Sequence, residues 1–213
     1  MKLKKSFIKL NPAQRLYGLK IPVIGLTGGI ATGKSTVAGM LEQSGLPIIN
    51  ADQLVKDIYR LPETIAYIQH HHPEVVKEGK IQFPLLREKV FLNPEVKREI
   101  ETFIYQRLPL AFQSAFEKLP QASVLIYDVP LLFEKKMEGL FDLNTLVYAS
   151  RDVQLERLML RDQISEMMGN QILNQQMDIE EKRLKTDFII DNSKGQTELL
   201  EEVKNFLQKF FEK

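Results

Sequence analysis

Five short apolar runs punctuate the chain, and most of them give way to glycine or to an acid or amide. Ile21-Pro22-Val23-Ile24-Gly25-Leu26-Thr27 ends in Gly28-Gly29. Leu46 to Ile49 ends in Asn50 and Asp52, and Val124 to Tyr127 ends in Asp128. Thr145 to Tyr148 is the fourth run, and Phe188-Ile189-Ile190 ends in Asp191-Asn192. Runs this short, without polar alternation, read as strands buried on both faces. Stretches of helical period separate them. Val37, Met40 and Leu41 recur at i, i+3, i+4 before Gly45 supplies a stop. Leu199, Leu200, Val203, Phe206, Leu207 and Phe210 form a last apolar stripe. The alternation predicts a three-layer α/β/α fold on a five-stranded, mostly parallel sheet with crossover helices on both faces.

Two stretches exceed a minimal crossover. Residues 57–120 carry helical periodicity through Ile100, Phe103, Ile104, Phe112, Ala115, Phe116 and Leu119, broken at Pro109, and read as an inserted helical subdomain. Residues 151–183 look like two helices joined near Gly169-Asn170. The core is then expected over 21–56, 121–150 and 184–213. Residues 1–20 hold Lys2, Lys4, Lys5, Lys9, Arg15 and Lys20 with no acid and no apolar h-region, so they read as a solvated basic extension rather than a signal peptide.

Composition narrows the chemistry. Cysteine is absent from the 213 residues, which excludes disulfides, thiolate metal sites and thiol nucleophiles. Lys plus Arg is 29 against 28 acids, a balance that suggests neither a nucleic-acid nor a membrane partner. No apolar run approaches the 18 residues of a membrane span. A soluble, cytoplasmic protein is expected, a monomer or small homo-oligomer, since an apolar helix stripe can face either the core or a second copy.

Gly28-Gly29-Ile30-Ala31-Thr32-Gly33-Lys34-Ser35 matches G-x-x-x-x-G-K-[ST] at every fixed position. It follows a strand signal and opens a helix signal, as a phosphate loop requires. Backbone N–H groups of 28–36, ending in Thr36, would cradle the phosphates of a nucleoside triphosphate at a helix N-terminus. Lys34 would reach the β- and γ-phosphates, and the Ser35 hydroxyl would coordinate Mg2+. Asp52, past the second run, either accepts the proton of an attacking hydroxyl or caps the helix that follows. Asp128 ends its run in the manner of an acid that organises magnesium and its waters, or it ends a strand for turn reasons alone. Arg157 and Arg161, spaced i, i+4, share a helix face that suits a lid over phosphates; the alternative is a solvated helix whose Arg161 and Asp162 do little. His70-His71-His72 cannot easily converge on one ion and reads as surface histidines. No N-K-x-D guanine signature occurs.

Taken together, these pieces resemble the dephospho-coenzyme A kinase family over about residues 21–210. The resemblance rests on Leu26 to Thr36, Ala51-Asp52, and Asp128-Val129-Pro130-Leu131-Leu132-Phe133-Glu134. Arg87 before Phe91-Leu92-Asn93-Pro94-Glu95, Arg157 with Arg161-Asp162, Gln176 with Glu180-Glu181-Lys182-Arg183, and Asp187 to Asn192 extend it. It implies transfer of the γ-phosphate of ATP to the ribose 3′-hydroxyl of dephospho-coenzyme A, the last step of coenzyme A synthesis. It also implies Asp52 as general base, Lys34, Arg157 and Arg161 as catalytic groups, and Asp52, Arg87, Asp128 and Leu131 as substrate-binding residues. The insertion would be the substrate domain. Asn50 stands where many members have Asp, Lys56 where Arg is common, and Tyr105-Gln106 where His-Pro is frequent. Ala31 replaces a frequent glycine at a loop position the motif leaves unrestricted. Rival readings are another nucleoside or nucleotide kinase on this scaffold, or a non-catalytic ATP-binding switch.

Overall fold

The computed structural model describes residues 1–119 and 121–212. All six residues of β1 (Val23–Gly28) are buried, which places that strand at the centre of the sheet. Beyond α1 (Lys34–Gln43) and Gly45 come β2 (Ile48–Asn50) and, after the helical insertion, β3 (Leu125–Asp128) and β4 (Leu143–Tyr148). The five-stranded order is β2-β3-β1-β4-β5, with β5 spanning Phe188–Asp191. The β1–β3, β1–β4 and β4–β5 pairs are parallel, with Leu26 opposite Asp128 and Thr145. The sequence's five apolar runs are these strands.

The chain forms two compact units, residues 1–49 with 119–213 and residues 50–118. In the sheet unit, Val37 and Leu41 of α1 and Leu199, Val203, Phe206 and Phe210 of the C-terminal helix (Gln196–Phe210) join Ile24, Leu26, Ile126 and Val147 in one core.

The helical unit contains α2 (Ala51–Tyr59), α3 (Pro62–His71), α4 (Phe83–Leu92), α5 (Pro94–Tyr105) and α6 (Leu108–Glu117). Ile58, Ile68, Leu86, Val96, Ile100 and Ile104 form its core. The insertion therefore begins at Asn50 rather than at 57, because α2 buries Leu54 and Ile58 with the other helices. Pro109 falls in the first turn of α6, where its missing N–H costs nothing, and the chain breaks just before it.

Residues 151–183 hold three helices, not two: α7 (Arg151–Asp162), α8 (Glu166–Leu173) and α9 (Ile179–Lys185). Gln163, in the left-handed region at φ 52°, ends α7. Gly169-Asn170 lies inside α8. A Cβ at Gly169 would stand 2.6 Å from Leu155 Cδ1, so this glycine serves helix packing rather than a turn. The C-terminal helix is α10.

The first twenty residues are mostly exposed, as expected, but they are docked rather than a free extension. Lys2–Leu3 pairs antiparallel with Phe211–Glu212, and Phe7 packs edge-on against Phe210 at 4.6 Å. Asp142, fully buried, accepts hydrogen bonds from the backbone N–H groups of Lys9, Leu10 and Val23 at 2.9–3.0 Å. It also accepts from Arg15 Nε at 2.7 Å and Nη2 at 3.2 Å. The basic composition hid this docking because the partner carboxylate lies 127 residues downstream.

Burial pushes the Asp142 carboxyl up, but the Arg15 bonds, the Leu10 and Val23 N–H groups and the Arg15 charge outweigh it and hold it below the usual range. That stabilisation is in place above about pH 3.9 and is lost as pH falls through the lower folded value. Asp142→Asn, leaving Arg15 buried and uncompensated, is expected to cost about 3–5 kcal/mol at neutral pH. In denaturant melts the gap from wild type should narrow in acid; equal midpoints at pH 7 would remove the clamp.

Candidate active site

The glycine-rich loop runs from the C-terminal end of β1 into the first turn of α1. Gly33 is the N-cap at φ 83°, and its carbonyl accepts from the N–H groups of Thr36 and Val37 at 3.0 and 3.1 Å. Thr32 closes the turn from within, its hydroxyl donating to Gly29 O at 2.9 Å. Two amides brace the loop from outside. Asn192, just past β5, donates through Nδ2 to Thr32 O at 2.8 Å. Gln176 accepts from Ile30 N–H at 3.2 Å. A Cβ on Gly33 would lie 2.2 Å from Asn192 Nδ2, so the glycine and its brace are matched.

Ala31 corrects the expectation that its position is unrestricted. It adopts φ 60°, left-handed backbone that an L side chain enters at a cost of about 1–2 kcal/mol. The glycine-rich pattern marks only two of its positions as fixed glycines, and the geometry asks for a third.

Lys34 forms an ion pair with Asp128, and both side chains are largely buried. Asp128 ends β3, beside Leu26 of β1. Leu131 follows in a loop pinned at Pro130, whose carbonyl accepts from the Thr27 hydroxyl at 3.0 Å and from Lys182 Nζ at 3.3 Å. Lys182 of α9 is fully buried and pairs with Glu134 at 2.8 Å. Glu134 in turn accepts from Met177 N–H at 3.1 Å. Ser35 and Thr36 are exposed on the first turn of α1. The loop thus gathers Gly28 to Thr36, Asp128 and the Leu131 segment in the sheet unit.

Arg157 and Arg161, two of the three arginines of α7, stand in different states. Arg161 is exposed and spent in a two-bond pair with its neighbour Asp162, at 2.7 and 2.8 Å. Arg157 is half-buried, and its Nη1 is buried without a hydrogen-bond partner among the described residues. A buried guanidinium nitrogen left unpaired is unfavourable by itself and suits an incoming anion.

Asp52 and Arg87 belong to the helical unit. Asp52 lies exposed in the first turn of α2, and it is not the cap: Asn50 holds that place, accepting from Gln53 N–H at 2.8 Å. Arg87 is exposed on α4. His70 and His71 are exposed, whereas His72 is buried, and burial followed by the Lys89 charge pushes its imidazole down towards the neutral form. Among the described residues no cluster of His, Cys, Asp and Glu could hold a metal.

Missing from the sequence-derived set are Asn192, Gln176 and Lys182. All three lie in stretches that carried the resemblance, but nothing in an amide's or lysine's sequence context says that it braces a loop 52 to 160 positions away.

A phosphate loop between a central parallel strand and a helix, with a buried acid ending the neighbouring strand, defines a P-loop nucleoside triphosphate-binding α/β protein. The dephospho-CoA kinase profile matches residues 22–198. The chain is 34% identical over 190 residues to a dephospho-CoA kinase of Streptococcus pneumoniae serotype 4, covering 87% of this chain and 94% of that one. It is 33% identical over 194 residues to a dephospho-CoA kinase of Enterococcus faecalis, covering 87% and 96%. The crystal structure of TT1252 from Thermus thermophilus superposes with a TM-score of 0.80 at 30% identity, over 90% of this chain and 99% of that one. A dephospho-CoA kinase from Campylobacter jejuni follows with a TM-score of 0.66 at 28% identity, over 88% and 96%. The chain belongs to the dephospho-CoA kinase family.

Ala31→Gly is expected to raise thermal stability modestly, by about 1 kcal/mol, as relief of the left-handed strain exceeds the added unfolded-state entropy. An unchanged or lower melting temperature would show that the strain is absorbed elsewhere.

Proposed function

We propose that this chain transfers the γ-phosphate of ATP to the ribose 3′-hydroxyl of dephospho-coenzyme A, giving coenzyme A and ADP, the last step of coenzyme A synthesis. The observation that carries the reading is the braced phosphate loop with Lys34 paired to buried Asp128, in a chain of this family. The acceptor oxygen forms a bond to the γ-phosphorus, the bond from that phosphorus to the β–γ bridging oxygen breaks, and ADP leaves. Asp52 takes the hydroxyl proton. Lys34 and the N–H groups of 28–36 other than those of Ile30, Thr32 and Thr36, which are taken by Gln176, Gly29 and Gly33, stabilise charge on the transferring group, and positioning of this kind supplies most of the rate.

The donor set fits magnesium. Ser35 offers an exposed hydroxyl and Asp128 a carboxylate, oxygen ligands of the sort a hydrated, phosphate-bound Mg2+ uses. Ser35 would hold the ion directly, with Asp128 ordering its waters; when bound, the ion neutralises phosphate charge. Arg157, with its unpaired Nη1, is the better placed of the two arginines to meet phosphate oxygens. Arg161 would first have to leave Asp162. Arg87 and Leu131 contact the acceptor. No helix among the described residues is long and apolar enough to cross a membrane. The enzyme works on its small-molecule substrates in the cytoplasm, as a monomer or small homo-oligomer.

Asp52→Asn is expected to lower turnover by about 10²–10⁴-fold while ATP affinity stays nearly unchanged. Lys34→Ala should lose most activity. Both are read by ADP release with Mg-ATP and dephospho-coenzyme A, the product identified by mass as the acceptor plus one phosphate. Near-normal turnover in Asp52→Asn would remove it as base, and acceptor-independent ADP release would make the protein an ATPase.

A further inference from the structure

The helical unit carries two half-exposed aromatic rings that its core does not need. Phe83 opens α4 at 46% exposure, and Tyr105 closes α5 at 43%. Phe83 packs on a third ring, Tyr59 of α2. Phe83 meets Tyr59 edge-on, with centroids 5.5 Å apart and planes at 84°. α5 packs on α2, and burial, then the charge of Glu101 and of Tyr105 one turn further along α5, pushes the Tyr59 phenol up.

The periodicity of α2 connects this cluster to the acceptor. At 100° per residue, Asp52, Lys56 and Tyr59 fall within about 60° of one another, so they form one stripe of the helix. Tyr59 lies seven residues beyond Asp52, about 10 Å along the axis, and a helical side chain leans towards the N-terminus, which shortens the gap. That is roughly the reach of a nucleoside from a ribose oxygen to its base. The flanks are cationic: Lys56 is on the same stripe, and Arg87 is one turn after Phe83 on α4.

We propose that Tyr59, Phe83 and Tyr105 form an aromatic shelf that receives the nucleobase of the acceptor, with Lys56 and Arg87 flanking its phosphates. The inference rests on the acceptor assignment made above and names the residues that select for it. A planar base has two faces to offer such rings, and stacking of this kind is tolerant of small geometric differences. A flexible amide arm would gain little from edge-on aromatics.

The test is steady-state kinetics on the full chain. Phe83→Leu and Tyr105→Leu are each expected to raise KM for dephospho-coenzyme A by about ten-fold, with KM for ATP and kcat nearly unchanged. Tyr105→Phe should keep the wild-type KM, and thermal melts of these exposed-site variants should match wild type. With ATP saturating, AMP should inhibit competitively against dephospho-coenzyme A at least ten-fold more strongly than ribose 5-phosphate. The Phe83→Leu/Tyr105→Leu double variant should erase that preference. An active wild type with unchanged KM and unchanged preference in the double variant would overturn the shelf alone. A wild type that leaves dephospho-coenzyme A unphosphorylated would overturn the acceptor assignment and the shelf with it.

Discussion

A loop that binds phosphate through its own backbone must hold one shape, and its own side chains, such as Thr32 on Gly29 O, supply only part of that hold. The rest comes from outside. Asn192, from the end of β5, occupies the Thr32 carbonyl, and Gln176, before α9, occupies the Ile30 N–H. These contacts tie residues 30–32 to segments more than 140 positions away, so the loop's shape depends on the sheet being complete through its last strand. The left-handed Ala31 and Gly33 are tolerable for the same reason: strained backbone persists where its surroundings over-determine it.

Buried charge pairs perform three separate tasks in the sheet unit. Arg15–Asp142 is structural, collecting the amino-terminal segment onto the start of β1 through one carboxylate that also accepts three backbone N–H groups. Lys182–Glu134 is architectural at one remove, holding α9 to the loop after β3. Lys34–Asp128 is different in kind, because its lysine is the group a triphosphate would claim. A buried pair gains less than its Coulomb energy suggests, since both ions give up hydration. Such a pair is therefore a sound way to aim a lysine whose charge can later be shared with phosphate, and a costly way merely to add stability.

The strands and the phosphate loop were legible because each is written locally: an unbroken apolar run, then fixed glycines, then Lys-Ser. The helical insertion was legible as excess length, although its start was placed too late. Ala51–Tyr59 follows β2 directly and looks like a crossover until its Ile58 is seen to be buried in the helical core, with Val55 and Tyr59 packed against it. Other features were unreadable for one reason, which is that their meaning lies in distant partners. The lysine-rich start hid Leu3 and Phe7, whose contacts are at Phe210 and Phe211. Gly169 looked like a joint and is a packing residue, since only the position of Leu155 on another helix distinguishes the two.

Asp52 shows how a wrong alternative can be as informative as a right one. From sequence, an acid at the start of a helix is equally a base or a cap, and the two readings compete for the same carboxylate. The structure gives the capping role to Asn50, whose side chain accepts from Gln53 N–H. The departure from the family's frequent Asp at position 50 therefore keeps the cap, because asparagine and aspartate serve that function about equally. With the helix end satisfied, the Asp52 carboxylate stands exposed on the α2 stripe that continues through Lys56 to Tyr59. The carboxylate is thereby free of the capping hydrogen bond, although its charge still favours the helix N-terminus. If Asp52 is the base proposed above, taking up a proton would cost α2 a favourable first-turn charge but would leave the Asn50 cap in place.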